Sequence, residues 1–345
     1  MAAPNAPAGT YRAPDTGPLP GAAPTTRIEL RGVSKSFDGD PVVRDLTFEV
    51  MQGEIFGFIG PSGSGKTTTI RLITGVYHPT EGTVRLMGAD PTHTSRQVQE
   101  RFGYMPQHFV LYPTLTVREN LYFSAALYGM GVVERRRRVD QLLKFVELWD
   151  ARNKVTVNIS GGMQRRVQLA ASLLHDPPLL FTDEPTAGID PVLRGKFWEE
   201  FRRLRDQGRT IFVTTQYVGE SEYCDRIGVI REGRIIALDT PMNLRRIAMG
   251  GDVVDVESDQ FSPAAIYSIS RLPFVQHVQP VTHREIRVHV QEAGAAVPLL
   301  LDAMNDNQCE VQRIEEYRPS FDEVFIELMK RDEAANPAPE GAQNA

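Results

Sequence analysis

Two short stretches of the chain carry residues whose types and spacing belong to phosphate chemistry. The first is GPSGSGKT, Gly60 through Thr67, which follows the apolar run EIFGFIG and leads into the helical TTIRLITG. The pattern GxxxxGK[ST] between a strand and a helix is a P-loop, whose glycines let backbone N–H groups wrap phosphate oxygens at a helix N-terminus. Gly60, Pro61, Ser62, Gly63, Ser64 and Gly65 form that cradle with Thr68 at its helical end, Lys66 reaches the β- and γ-phosphates, and the Thr67 hydroxyl binds Mg²⁺. The second stretch is DPPLLFTDEP, in which Pro177 and Pro178 separate an apolar strand from the preceding helix and two adjacent carboxylates, Asp183 and Glu184, close it. Asp183 is placed to hold the Mg²⁺ shell, and Glu184 to polarise a water for in-line attack on the γ-phosphate. Either stretch alone could be a Gly/Ser turn or an exposed acidic turn; together they read as a nucleotide site. Thr182 is a polar intruder in the second strand, expected to hydrogen-bond inward or to weaken an edge.

Two further stretches qualify as parts of the same machinery. In NISGGMQRRVQLAASLLHD, Met163, Val167, Ala170, Ala171 and Leu174 fall on one helical face, so Ser160, Gly161 and Gly162 form a small-residue helix start. That start is a second anion site, which makes sense in one chain if it serves another subunit's nucleotide. The run TIFVTTQYVG is a buried strand that stops at two threonines and Gln216, and ligands collect beyond the carboxyl ends of such strands.

With these motifs in order, the chain resembles the nucleotide-binding subunits of ABC transporters over roughly residues 27–245. Gly60 to Thr67 match the Walker A motif, Leu179 to Asp183 the Walker B strand, and Glu184 the general-base position. Gln107 in YMPQHFVLYPTLTVREN matches the Q-loop, which in such subunits also reaches Mg²⁺. ISGGMQ matches the signature sequence, and Asp190 ends the D-loop. Phe37 lies where these subunits stack an aromatic ring on adenine, with plain core packing as the competing reading. The resemblance implies an α/β fold, a P-loop NTPase core with an antiparallel β subdomain and a helical subdomain at about 108–175. It further implies ATP clasped head-to-tail between the P-loop of one chain and ISGGM of another, either a homodimer or a paired ATPase subunit. Its partner would be a polytopic membrane permease, at the cytoplasmic face of the cell membrane, and the segment with Phe109, Leu111, Tyr112 and Tyr122 is either the docking surface or ordinary packing.

The departures from the family pattern are informative. Ile159 replaces leucine and Met163 the first glutamine of the signature, and such variants with Met occur in branches exporting drugs, antibiotics or polysaccharides. Gln216 stands where a switch histidine contacts the γ-phosphate, as it does in daunorubicin-exporter-like subunits; a neutral amide can donate a hydrogen bond but cannot titrate near pH 7. The reading is the ATPase subunit of an exporter. A slow or degenerate regulatory ATPase, a soluble ABC ATPase of translation or repair, and a P-loop GTPase are the alternatives. Translation-type proteins usually carry two cassettes and repair-type ones a long coiled-coil insert. For the GTPase, the guanine-reading Asn-Lys-x-Asp is missing, since Asn153 and Lys154 are followed by Val155 and Thr156.

The elements that must hold these motifs are legible in outline. The 345 residues, 41% of them hydrophobic, suffice for one large and one small domain. A net charge of −6 argues against a general nucleic-acid binder, and Cys224 and Cys309, without any CxxC spacing, read as packed thiols of a reducing compartment. No apolar run approaches the roughly 18 residues that span a bilayer, and the N-terminus lacks the order of a signal peptide. RIELRGVSKSF and PVVRDLTFEV alternate as half-buried strands, with Leu46, Phe48 and Val50 on one face. Residues 1–26 and 331–345, rich in Ala, Pro and Gly, are expected to be flexible tails. Residues 250–330 read as a small α+β domain, strand-helix-strand then strand-helix-strand-helix, with a Ser320–Glu323 capping box ahead of Phe321, Val324, Phe325 and Leu328; a spacer or dimer-stabilising role is expected. Glu134 to Arg138, ahead of Val139, Leu142, Leu143 and Val146, read as a solvated helix face, with anionic lipid headgroups as the alternative contact.

Overall fold

A computed structural model of the chain describes residues 25–93, 98 and 100–336. All but the last two residues of the expected N-terminal tail, and residues 337–345 of the C-terminal one, lie outside these. The chain divides into two compact units, one formed by residues up to 217 with 223–235, the other by 218–222 with the residues from 236 onward.

In the first unit, alternation of apolar and polar residues produces β1 (Thr26–Phe37) and β2 (Asp40–Met51), with Leu46, Phe48 and Val50 buried on one side. The fully apolar β3 (Ile55–Ile59) leads through the P-loop into α1 (Lys66–Ile73), and β4 (Glu81–Leu86) returns to give an antiparallel sheet in the order β2-β1-β4. A second, six-stranded sheet adds β5 (Phe102–Met105), β6 (Leu179–Asp183), β7 (Thr210–Thr215), β8 (Arg226–Arg231) and β9 (Arg234–Asp239) in the order β5-β6-β7-β3-β8-β9. From β5 to β8 its pairs are parallel. Every residue of β3, β6 and β7 is buried, which is why these strands read as unbroken apolar runs. The Phe48 ring, from the antiparallel sheet, stacks on Phe56, Phe58 and Phe212 of the parallel sheet at 5.4, 5.6 and 6.3 Å. Each such ring removed from water contributes about 2–3 kcal/mol, so the two sheets are fastened directly beneath the P-loop.

Three helices, α2 (Val117–Leu127), α3 (Val132–Phe145) and α4 (Gly161–Ser172), fall within the expected helical region, and α5 (Pro191–Asp206) follows β6. The arginine run on α3 is not wholly a solvated face. Arg136 and Arg137 are exposed, but Arg138 donates to the Leu173 and Leu174 carbonyls at 2.7 and 3.1 Å and pairs with Asp176 at 2.7 Å. It thereby satisfies carbonyls left open at the end of α4. Thr182 fits neither expectation: β6 is an interior strand, and the buried hydroxyl makes no hydrogen bond among the described residues. Of the four residues named for the docking segment only Tyr112 is exposed. Phe109, Leu111 and Tyr122 are half-buried, while Val110, Phe123 and Leu127 take the exposed places.

The second unit contains α6 (Pro241–Met249), β10 (Asp252–Ser258), α7 (Pro263–Ser270), β11 (Val275–Pro280), β12 (Glu285–Val290), α8 (Ala293–Asp306), β13 (Val311–Tyr317) and α9 (Phe321–Ala335). Its antiparallel sheet runs β11-β12-β10-β13, and Val254, Val256, Ile286 and Val288 alternate inward against Ala265, Ile269, Leu300 and Met304. The Ser320–Glu323 capping box starts α9. That helix runs to Ala335, past the boundary expected at 330, because KRDEAA contains no helix breaker before Pro337. Cys224 and Cys309 are buried, and neither is part of a disulfide among the described residues. Among the described residues no helix is long and apolar enough to cross a membrane.

Candidate functional site

Strand register assembles the site. Ile59 of β3 lies beside Thr215 of β7, and Thr214 beside Asp183 of β6, so the segments that follow these strands, at Gly60, Gln216 and Glu184, emerge next to one another. Gly60 must be glycine: a Cβ there would sit 2.2 Å from the Ile230 carbonyl oxygen. Gly65, at φ +104, caps α1 in a conformation that side chains resist. Buried Lys66 donates to the Gly60 and Pro61 carbonyls at 2.9 and 3.0 Å and lies 3.4 Å from Glu184 Oε1. The Ser64 hydroxyl is buried with no partner among the described residues.

Asp183 and Glu184, adjacent in sequence, are held differently. Asp183 Oδ2 accepts from Thr67 Oγ1 at 2.9 Å and Oδ1 from Thr214 Oγ1 at 2.6 Å, within the sheet's interior. Glu184 turns away, at φ +46, a left-handed conformation that costs a residue with a Cβ about 1–2 kcal/mol. Two hydrogen bonds from its N–H hold the turn, to the Thr214 carbonyl at 3.0 Å and the Thr214 hydroxyl at 3.1 Å. The carboxylate thereby faces Lys66, and Gln107 Nε2 donates to its Oε2 at 2.8 Å. Ser62 Oγ donates to Gln216 Oε1 at 3.0 Å.

Ser62, Lys66, Thr67, Gln107, Asp183, Glu184 and Gln216 are thus brought together. The Thr67 hydroxyl, the Asp183 carboxylate and the amide oxygen of Gln107 are hard oxygen donors, a set that fits Mg²⁺. Ser160, Gly161, Gly162 and Asp190 are not joined to this cluster by any hydrogen bond or ion pair among the described residues. Ser160 caps α4 by accepting from Met163 N, Asp190 caps α5 by accepting from Leu193 N, and a Cβ on Gly162 would meet Leu193 Cδ2 at 2.2 Å. Phe37, 36% exposed, stands edge-on to Tyr77 at 5.2 Å with Lys35 Nζ 5.0 Å from its ring.

Sequence reasoning passed over three residues. Thr214 ties Asp183 and Glu184 together, and its only signal was a hydroxyl at the end of an apolar strand. The Tyr104 phenol is pushed up to about 12 by burial and by the Asp183 charge. Arg165 donates to the Pro106 carbonyl at 3.1 Å; burial lowers its pKa, opposed by Glu184 and Asp183. In MQRR it looked like any helix cation.

The chain is 31% identical over 309 residues to the linearmycin resistance ATP-binding protein LnrL of Bacillus subtilis, covering 88% of this chain and 98% of that protein. A family model described as ABC transporter matches residues 43–187. The chain belongs to the ABC transporter ATP-binding proteins. A second model, described as ATP-binding protein DrrA1-3-like, C-terminal domain, matches residues 240–329 of this ABC subunit. The Nod factor export ATP-binding protein I of Burkholderia lata is 41% identical over 234 residues, 68% of the ABC subunit and 77% of the relative. A solved ATP-binding subunit of an ABC transporter superposes with a TM-score of 0.59 at 31% identity, over 64% of the ABC subunit and 93% of that chain. A dimeric structure of a bacterial ABC transporter cassette gives a TM-score of 0.57 at 28% identity, over 62% and 98%. The ABC subunit is an ATPase that powers a membrane exporter, and its family binds ATP and ADP. The soluble translation or repair reading is not favoured.

Proposed function

We propose that the ABC subunit hydrolyses Mg²⁺·ATP at a site completed by a second copy or a paired ATPase subunit, while docked on a polytopic permease at the cytoplasmic face of the membrane. The convergence of Lys66, Thr67, Gln107, Asp183, Glu184 and Gln216 at the ends of four neighbouring strands, β5, β6, β7 and β3, carries this reading. The P-loop N–H groups from Gly60 to Thr68 cradle the phosphates, and Lys66 exchanges its carbonyl partners for phosphate oxygens. Thr67, Asp183 and Gln107 would hold Mg²⁺, which neutralises phosphate charge when bound. Glu184 takes the proton of the attacking water, Gln216 donates to the γ-phosphate, and Phe37 offers its ring to adenine.

Ser160, Gly161 and Gly162 serve the partner's nucleotide, with Asp190 beside them, which accounts for an anion-binding helix start standing apart from the chain's own cluster. The exposed Val110, Tyr112, Phe123 and Leu127 meet the permease. The name of the linearmycin resistance relative favours a drug- or antibiotic-like cargo. Ser160→Arg tests the shared site: monomers should still bind ATP, but ATP-dependent dimerisation and turnover should disappear. Dimerisation with ATP at the wild-type rate would remove the partner from the mechanism.

A further inference from the structure

Two side chains one turn apart on α4 grip the backbone on either side of Gln107. Arg165 Nη1 donates to the Pro106 carbonyl at 3.1 Å, and Gln168 Nε2 to the His108 carbonyl at 2.6 Å. Gln168 is buried and Arg165 half-buried. Positions three apart share a helix face, which is why both reach the same strip of chain. A single bond would leave the loop free to pivot; one bond to the peptide that enters Gln107 and one to the peptide that leaves His108 hold the loop on both sides of Gln107. The residue so fixed is the one whose amide meets Glu184 Oε2 at 2.8 Å.

The same helix begins at Ser160. With a rise of about 1.5 Å per residue, Arg165 and Gln168 stand about 8 and 12 Å along its axis from that cap. We propose that Arg165 and Gln168 are positioning residues that latch the Gln107 loop to α4, so that the aim of Glu184 at its water follows the helix whose first residues serve the partner's nucleotide. A short stretch of one rigid element then links the carboxylate of one site to the ATP of the other. Displacement of a catalytic group by about 1 Å can cost about 100-fold in rate, so a small shift of α4 is enough to switch turnover. The inference rests on the proposed roles of Glu184 and Ser160.

The test compares kcat and ATP Kd of the full chain for Arg165→Met, Arg165→Lys and Gln168→Met, each alone and combined with Gln107→Ala, alongside Glu184→Gln. Arg165→Met and Gln168→Met should each lower kcat about tenfold or more while ATP Kd stays within about twofold, and Arg165→Lys should recover part of the loss. On the Gln107→Ala background the same substitutions should add less than about twofold, because the latch acts through Gln107. Wild-type kcat in the single variants, or full multiplication on the Gln107→Ala background, overturns the latch. Should Arg165→Met not fold, Arg165→Lys and Gln168→Met make the same comparison. Wild-type turnover in Glu184→Gln would instead refute the catalytic reading, a result distinct from failure of the latch.

Discussion

Replacing Gln216 by alanine isolates one proposed catalytic contact. Its Oε1 accepts from Ser62 Oγ at 3.0 Å, and Nε2 makes no hydrogen bond among the described residues. Both hydrogens of Nε2 are therefore available to the γ-phosphate, and Ser62 pins the amide so that they point away from the loop. The side chain is exposed, so truncation removes little packing and leaves Ser62 to water. Losing one hydrogen bond to a charged group costs about 1.5–3 kcal/mol, or roughly 10- to 150-fold in rate. ATP affinity should barely change, since Lys66 and the P-loop N–H groups remain. Glu184→Gln should be slower still and should trap ATP-bound dimers, because it removes the base but keeps the clamp. Gln216→His should retain turnover and gain a pH dependence near the histidine range that the wild type lacks. Steady-state ATPase activity with the permease present, beside ATP titration, is the assay. Wild-type turnover in Gln216→Ala would refute the argument and leave Gln216 a surface residue.

Two further outcomes are expected. Thr67→Val keeps the shape but loses the hydroxyl that donates to Asp183, so the Mg²⁺ concentration for half-maximal turnover should rise about tenfold or more, with metal-free ATP binding unchanged. His175, its ring 4.0 Å from Tyr128, is held at about 4 by burial, below its ordinary 6.5. The unfolded chain therefore binds the extra proton first, and stability complete above pH 6.5 falls as pH drops towards 4, by about 2 kcal/mol between pH 7 and 5. Urea midpoints at the two pH values should converge in His175→Phe, whereas equal shifts in both proteins would exclude His175 as the source.

The site was legible where chemistry is local. GPSGSGKT and TDEP each place their residues within one strand end, and strand order was all that remained to bring them together. The C-terminal elements were legible too, since each carried its own alternation or helical stripe. What escaped were contacts set by register and by helix packing: Thr214 matters because β7 lies beside β6, and Arg138 because the end of α4 comes to α3. Nothing in LLFTDE announces that Thr182 is enclosed between two strands with no partner, for a threonine reads alike in an edge and in an interior strand.

The left-handed turn at Glu184 separates two selective pressures at one position. Left to folding alone, residue 184 would drift toward glycine, asparagine or aspartate, which accept that backbone most readily. Glycine would remove the carboxylate, and aspartate would keep the charge but fall one methylene short of Gln107 and Lys66. With Glu184 as the proposed base, a more stable subunit that no longer turns over is a single substitution away, and it would escape any screen that scores only yield or melting temperature.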